Sequence, residues 1–379
     1  MEEAIEVVMM SDYADNDYAM ALGKEVAIAD VDKELHLLWE EDKASTNASL
    51  INLAVYSEQK GAIIKNSEHV QVITREHACR AILIGIDRNN PDASIRAWIT
   101  AHCHLSHGRK SVCCEQIAFQ LTGKSTGRLR NTVFSHLNSD LPLVFWWQGE
   151  LSSLFSERLY SLIDRFIFDS SEWANPLESY GCIGVAMQSE QSLLPMDIEW
   201  TRSSQIRMAV AGLFDDPMAA SALQHMSELR VVVHPKHRMA GLQLLAWVIQ
   251  RTGWKQNKEL PLGSDNGDIY YYETTEGSDV LATIVTDPLS APVGMMEFKS
   301  ARCEVRVTRD AGSPYIRQEL HAGAHQIERC TPSNSDDSAD LVMNQLSRGG
   351  NNSLYRAVMP DFLNLLGGEL NGSCEMEDV

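Results

Sequence analysis

No apolar run in this chain approaches the ~18 residues that a helix needs to span a bilayer, so a membrane-spanning role is not expected. The eight cysteines, at 79, 103, 113, 114, 182, 303, 330 and 374, include no C-x-x-C pair. A structural disulfide framework is therefore not expected, and most of these residues read as small buried hydrophobes or free thiols. Neither G-x-G-x-x-G nor G-x-S-x-G occurs. The segment 121–126, LTGKST, lacks the earlier glycine of a phosphate loop, because Ala118 stands in its place. A plain turn is the simpler reading. Basic residues are few: 32 Lys and Arg face 52 Asp and Glu, for a net charge of −20. Binding a nucleic-acid backbone needs a concentrated basic surface, which this balance argues against. The acidic start, MEEAIE, lacks the basic opening of a secretory signal, so the expected location is the cytoplasm.

What is present is enough chain for two domains. The 379 residues are 44% hydrophobic, the level of a folded globular protein. Residues 1–24 are acidic, Met-rich and aperiodic, and read as a mobile arm. An N-terminal domain is expected over 25–190. Its elements are a helix from Asp30 to Trp39, strands near 51–56 and 79–86, a helix over 61–77 and a hairpin of 95–105 with 111–121, a helix over 112–121 being the competing reading because Cys114, Ile117, Ala118 and Leu121 also fit helical spacing. A helix near 128–137, a strand at 143–148, a helix at 151–163 and a strand at 165–169 complete it. Strand, helix and strand in that order predict parallel crossovers. Residues 174–196 read as irregular. A C-terminal domain is expected over 191–330. It has helices at 203–214 and 239–251, a strand at 229–234 and short alternating strands from 268 to 322 that predict an antiparallel meander. A polar linker, one terminal helical stretch near 341–366 and a disordered tail fill 331–379. The fold class is mixed α/β.

The segment 139–149, SDLPLVFWWQG, is the most informative. Successive strand residues face opposite ways, so Trp146 and Trp147 cannot share one core face. One ring must be covered by a helix, a second domain or a partner protein. Buried aromatic anchors are typical of interface hot spots. Asp164, Asp169 and Glu172 invite a carboxylate reading, but the Asp169-Ser170-Ser171 run fits a cap at a strand end better. In Asp197-x-x-Trp200-x-Arg202, the arginine pairs with Asp197 to fix the domain junction, or the motif recognises a partner or anion.

The hairpin carries the densest set of metal-type side chains. With 103 opposite 113 and 102 opposite 114, His102, His104 and Cys114 share one face, a set that could hold zinc. A one-residue slip destroys that set, and a packed sheet with polar edges is the competing reading. Cys103 and Cys113 then share the other face, within reach of a cross-strand disulfide. A Cys113–Cys114 bond would be strained. Cys103, Cys113 and Cys114 are the redox candidates, set against buried inert thiols. No cofactor is expected.

Residues 108–117 (GRKSVCCEQI), 134–147 (FSHLNSDLPLVFWW), 164–173 (DRFIFDSSEW), the helix 30–39 and the Asp197–Arg202 motif together resemble the OpcA family, the glucose-6-phosphate dehydrogenase assembly proteins. The resemblance spans roughly 24 to 325 and is densest at 103–173. It implies a non-catalytic protein that binds glucose-6-phosphate dehydrogenase, promotes its assembly and activation, and in some members is under thiol redox control. Candidates for the partner surface are Asp140, Pro142, Trp146, Trp147, Asp169, Trp173, Asp197, Trp200 and Arg202. The alternative is an α/β enzyme or sugar-phosphate-binding protein whose site is spread over loops.

Overall fold

Two eight-stranded sheets organise the computed structural model, which describes residues 18–42, 49–106, 109–257, 268–347 and 352–367. The first sheet has the order β1-β4-β5-β3-β2-β6-β7-β8. Its strands are β1 (Lys24–Val26), β2 (Ile51–Ser57), β3 (Cys79–Asp87), β4 (Ile95–Ser106), β5 (Arg109–Thr122), β6 (Leu143–Gln148), β7 (Arg165–Phe168) and β8 (Leu194–Asp197). From β5 to β8 every neighbour is parallel, while β4 and β1 add an antiparallel edge. Helices α1 (Val31–Asp42), α2 (Ala62–Ile73) and α3 (Pro176–Ser189) belong to this half. Such a sheet is buried on both faces, so its central strands are near-continuous apolar runs.

That double burial settles the tryptophan pair. Trp147 is fully buried on one face, its ring 4.2 Å from Tyr56 and edge-on to Phe155 and Phe166. Trp146 is 2% exposed on the other face, where His69 of α2 stacks on it at 5.5 Å. The chain covers both rings itself.

Short helix α4 (Ile198–Arg202) leads through α5 (Ser204–Phe214) into the second sheet, of order β10-β11-β12-β9-β13-β14-β15-β16. Its strands are β9 (Glu228–Val233), β10 (Lys255–Gln256), β11 (Asp268–Glu273), β12 (Asp279–Thr286), β13 (Val293–Lys299), β14 (Glu304–Thr308), β15 (Tyr315–Ala322) and β16 (His325–Pro332). Helix α6 (Arg238–Thr252) lies on one face. Gly241 lets it approach closely, since a Cβ there would stand 3.0 Å from the Ile284 side chain. Helices α7 (Ser338–Ser347) and α8 (Ser353–Leu366) close the chain. No helix among the described residues is long and apolar enough to cross a membrane.

Five expectations change. The arm does not extend through 24: Leu22 is fully buried, Tyr18 stacks on Trp98 at 5.3 Å and β1 pairs with β4. These anchors are too few to show a period; residues 1–17 lie outside the described residues. The predicted helix over 151–163 is one turn, Glu157–Tyr160. Leu151, Phe155, Leu159 and Ile163 are buried at helical spacing, but serines at 152, 153 and 156 favour local turns over a continuous helix. Residues 174–196 are ordered, holding α3 and β8. Pro176 starts α3 at the position where its missing N–H costs nothing, and burial of Ser179, Tyr180, Cys182, Ile183 and Gly184 leaves no simple apolar stripe. The expected antiparallel meander is present as β11–β12 and β13–β16 but is interrupted, because β9 sits between β12 and β13 and runs parallel to β12; alternation fixes which face is buried but not which strand is the neighbour. The terminal helical stretch is two helices. Ala339, Leu341, Val342 and Leu346 of α7 join the core beneath α2, while α8 packs on α6. Residues 368–379, expected to be a tail, lie outside the described residues.

Candidate functional site

Two polar centres stand out, a clamp between the halves and a pocket at the mouth of the first sheet. The clamp begins where β8 ends. Asp197 is fully buried, and its Oδ1 accepts the N–H groups of Glu199 and Ser170 at 3.0 and 3.2 Å. Its Oδ2 accepts the Ser170 hydroxyl at 2.7 Å, the Tyr180 hydroxyl at 2.6 Å and the Gln243 amide. Tyr180 is on α3 and Gln243 on α6, so one carboxylate ties the two halves together. Burial, then the charge of Glu199, pushes the Asp197 carboxyl up to about 7.

Glu199, also fully buried, faces the Arg202 Nε at 2.7 Å and the His237 Nδ1 at 2.9 Å. Burial acts upward on Glu199, but His237 and Arg202 outweigh it and hold the carboxyl below its ordinary value. Burial and the Glu199 charge raise Asp169. Arg202 therefore does not pair with Asp197 as expected. It meets Glu199, the Asp169 Oδ2 at 3.4 Å and the Asp336 carbonyl at 2.8 Å. Asp197 is turned toward the start of α4, which it caps, whereas Glu199 lies three residues before Arg202 on the same helical face. Glu199 stood inside the motif as an unread position. His237, Tyr180 and Gln243 carried no sequence signal, because they arrive from distant elements.

Most of the partner-surface candidates are interior. Trp146, Trp147, Trp173, Trp200, Asp169 and Asp197 are all buried, and the Arg202 side chain is 5% exposed. The Arg207 guanidinium lies 3.4 Å over the Trp200 ring. Asp140 and Pro142 are exposed, ahead of β6.

The hairpin register places His102 opposite Cys114 and Cys103 opposite Cys113, with a bulge after His104. His102, His104 and Cys114 share a face, yet each has its own partner. His102 meets Gln116 at 2.9 Å, His104 meets Thr74 at 3.0 Å, and the Cys79 thiol donates to Cys114. That bond pulls Cys114 down to about 7 and pushes Cys79 well up. Burial lowers both histidines. Among the described residues no three His, Cys, Asp or Glu side chains are grouped to hold a metal. Cys103 and Cys113 form the cross-strand disulfide that their shared face allowed, and Cys182, expected to be a free thiol, is also disulfide-bonded. Cys79, Cys114 and Cys303 are buried thiols and Cys330 is exposed.

The mouth of the sheet lies beyond the C-terminal ends of β2 and β6. Crossover connections leave these adjacent strands for opposite faces there, a topological switch point where open α/β sheets bind ligands. The turn after β2 is Ser57-Glu58-Gln59-Lys60-Gly61. Where a dinucleotide fold keeps several glycines around a pyrophosphate, this turn has one glycine and an acid. The Glu58 carboxylate takes the Tyr56 hydroxyl at 2.5 Å, the Ser152 hydroxyl at 2.7 Å and the Arg88 Nε at 3.0 Å. Burial and the Glu58 charge raise the Tyr56 phenol far above its ordinary range. Beside the turn is a pocket of about 310 Å³.

Fold and site thus define a two-part α/β protein with a topological switch point in its first sheet, where the turn after β2 holds one glycine and an acid tied to Tyr56, Ser152 and Arg88. The chain belongs to the OpcA glucose-6-phosphate dehydrogenase assembly family: models described as the glucose-6-phosphate dehydrogenase subunit N-terminal and C-terminal domains match residues 70–182 and 195–359. No curated protein matches it in sequence. Among solved structures it resembles a variant of a 3-ketoreductase from Actinomadura kijaniata, with 9% identity, 84% of this chain and 96% of that one covered, and a TM-score of 0.49. It also resembles a putative NADPH-dependent oxidoreductase from Desulfitobacterium hafniense, with 8% identity, coverage of 83% and 93%, and a TM-score of 0.45. At such values the likeness carries no information about chemistry.

Proposed function

We propose that this chain is a non-catalytic accessory protein that binds glucose-6-phosphate dehydrogenase in the cytoplasm and favours its active assembly. The observation that carries the reading is the match of both halves to domains named for that enzyme's subunit. The turn after β2 supports it, because it carries a single glycine where a nicotinamide dinucleotide fold keeps several, and its Glu58 is tied to Tyr56, Ser152 and Arg88.

The tryptophans being interior, the contact surface is sought elsewhere. The outward face of the second sheet offers one. Tyr271, Leu281, Val285, Val232 and Met295 share it by register and are all at least partly exposed. Beside them runs a charge ladder in which Arg306 meets Glu297 at 2.6 Å and Glu319 at 3.9 Å. An apolar strip with a charged border is the make-up of a transient protein interface. Activation requires the chain to bind one state of the enzyme more tightly than another, by on the order of 1–3 kcal/mol. Reduction of the Cys103–Cys113 bond is the step through which thiols would modulate binding.

The test mixes the chain with the dehydrogenase of its own organism, with and without dithiothreitol. Co-migration on a sizing column and a changed KM or kcat are expected. Separate elution with unchanged kinetics in both conditions defeats the proposal.

A further inference from the structure

Where α6 ends, two buried polar side chains have nothing to bond. Gly253, with φ +70°, stops the helix and leads the chain into β10, so that Trp254 lines a cavity together with Tyr272 of β11 and Asp361, Asn364 and Leu365 of α8. Trp254 is 3% exposed and Tyr272 2%, and neither the indole N–H nor the phenol hydroxyl has a hydrogen-bond partner. Buried polar groups are nearly always paired. At Asp197, by contrast, both carboxylate oxygens are taken up by neighbouring donors. Two orphan donors on the wall of one cavity point to a partner that is not part of the chain.

The rest of the lining says what that partner must offer. Asp361, Asn364 and Leu365 lie at i, i+3 and i+4 of α8 and so present one face. Asp361 is half-buried, and burial raises its carboxyl with no cation acting against it. Burial, then Tyr270 and the Asp361 charge, holds the Tyr272 phenol far above its ordinary range, so it stays a donor. The Asn364 amide reaches the Gln256 Oε1 at 3.4 Å, which leaves both amides with further hydrogen-bonding capacity. Lys255 stands exposed on the rim, and Ile249 and Leu365 supply apolar wall.

This set discriminates among ligand classes. A cation has no use for an indole N–H, which only donates. An anion at the two donors would meet the Asp361 charge already felt at Tyr272. The charges of Asp361 and Lys255 cancel, so the lining asks for no net charge. A hydroxyl group both accepts and donates, and bringing it to this depth costs far less than bringing an ion. Water alone does not account for the space, since about 250 Å³ holds the volume of roughly eight molecules, more than two donors can fix. We propose that this cavity binds a neutral polyhydroxy molecule, a monosaccharide or polyol, whose hydroxyls accept from Trp254 and Tyr272 and donate to Asp361, and whose carbon skeleton rests on Ile249 and Leu365.

The inference concerns the chain alone, and its test contains no dehydrogenase, so it stands or falls apart from the assembly reading. Full-length protein is titrated calorimetrically with glucose, ribose, sorbitol, leucine and acetate. At least one of the first three is expected to bind with Kd below ~1 mM, and leucine and acetate each ~10-fold or more weakly. In a sample labelled with ¹⁵N-tryptophan, the indole signal missing from Trp254→Phe should be the one that the bound sugar or polyol shifts. Tyr272→Phe removes only an unpartnered buried hydroxyl. It should keep or raise the Tm of the free protein and lose ~5-fold or more in affinity. Asp361→Ala should lose ~10-fold or more. The proposal is overturned if glucose, ribose and sorbitol all fail to bind up to ~10 mM, a ceiling far below the specific range. It is equally overturned by leucine or acetate binding as tightly as they do, by an unmoved Trp254 indole signal, or by unaltered affinity in either variant.

Discussion

The two sheets have the same number of strands and opposite surroundings. In the first, β2 and β6 are buried almost end to end, because helices or connecting segments cover both faces. In the second, β12 and β15 alternate between buried and exposed positions, because one face is left outward. The first sheet therefore spends its aromatic side chains on its own core. The second keeps apolar and charged side chains available to something else. An aromatic pair in a strand signals a partner only if the sheet has a free face, and here it does not.

The sharpest way to break this contrast is to cut into the doubly covered sheet. Trp147→Ala should cost about 3–5 kcal/mol, since a fully buried ring leaves a cavity its neighbours cannot fill. A urea midpoint close to that of the parent would mean the ring is not packed on both sides. Next comes the clamp between the halves. Glu199→Ala strips Arg202 and His237 of their buried acceptor and should cost about 3–5 kcal/mol. The same variant should separate the unfolding of the two halves in calorimetry; a single unshifted transition would deny the clamp its role.

Asp197 sharpens the picture through pH. Its folded-state carboxyl lies near 7, above the unfolded value of ~3.9, so the folded state holds the extra proton between those values. Its contribution is complete below about pH 4 and is lost as pH rises through about 7. Asp197→Asn has no such titration. The stability of the parent relative to Asp197→Asn should fall by on the order of 1 kcal/mol or more between pH 5 and pH 8, and parallel curves would place the Asp197 carboxyl outside that window. The smallest stability effect belongs to the outward face. Leu281→Asp, at a position 37% exposed, should change stability by no more than about 0.5 kcal/mol. It should still weaken dehydrogenase binding ~10-fold or more; intact binding would move the contact off this sheet.

Legibility followed the range of the interaction. The β4–β5 register was readable as far as His104, because an apolar period and a short turn fix it locally. The run at 174–196 was misread, because α3 is buried around most of its circumference and its glycines and proline imitate a loop. In the Asp197–Arg202 motif the sequence showed that charge was concentrated, but not that Glu199 rather than Asp197 would meet the arginine. That choice is made by His237 and Asp336, which lie 38 and 137 residues from Glu199 in the chain. The switch-point pocket had no signature at all, since its lining comes from five separate segments.

By itself the amino-acid order determined the class of fold, the parallel character of the first sheet, the family resemblance and the absence of any apolar run long enough for a bilayer. Fold class and sheet character follow from composition and from periods of two and 3.6 residues, which act over a dozen positions or fewer, whereas the resemblance rests on particular motifs. That both tryptophans are covered by the chain itself, where β9 inserts, which carboxylate takes the arginine and what lines the switch-point pocket were decided only in three dimensions. They depend on contacts between segments a hundred residues apart, where the cost of burying a ring or a charge is set by whatever the fold brings to meet it.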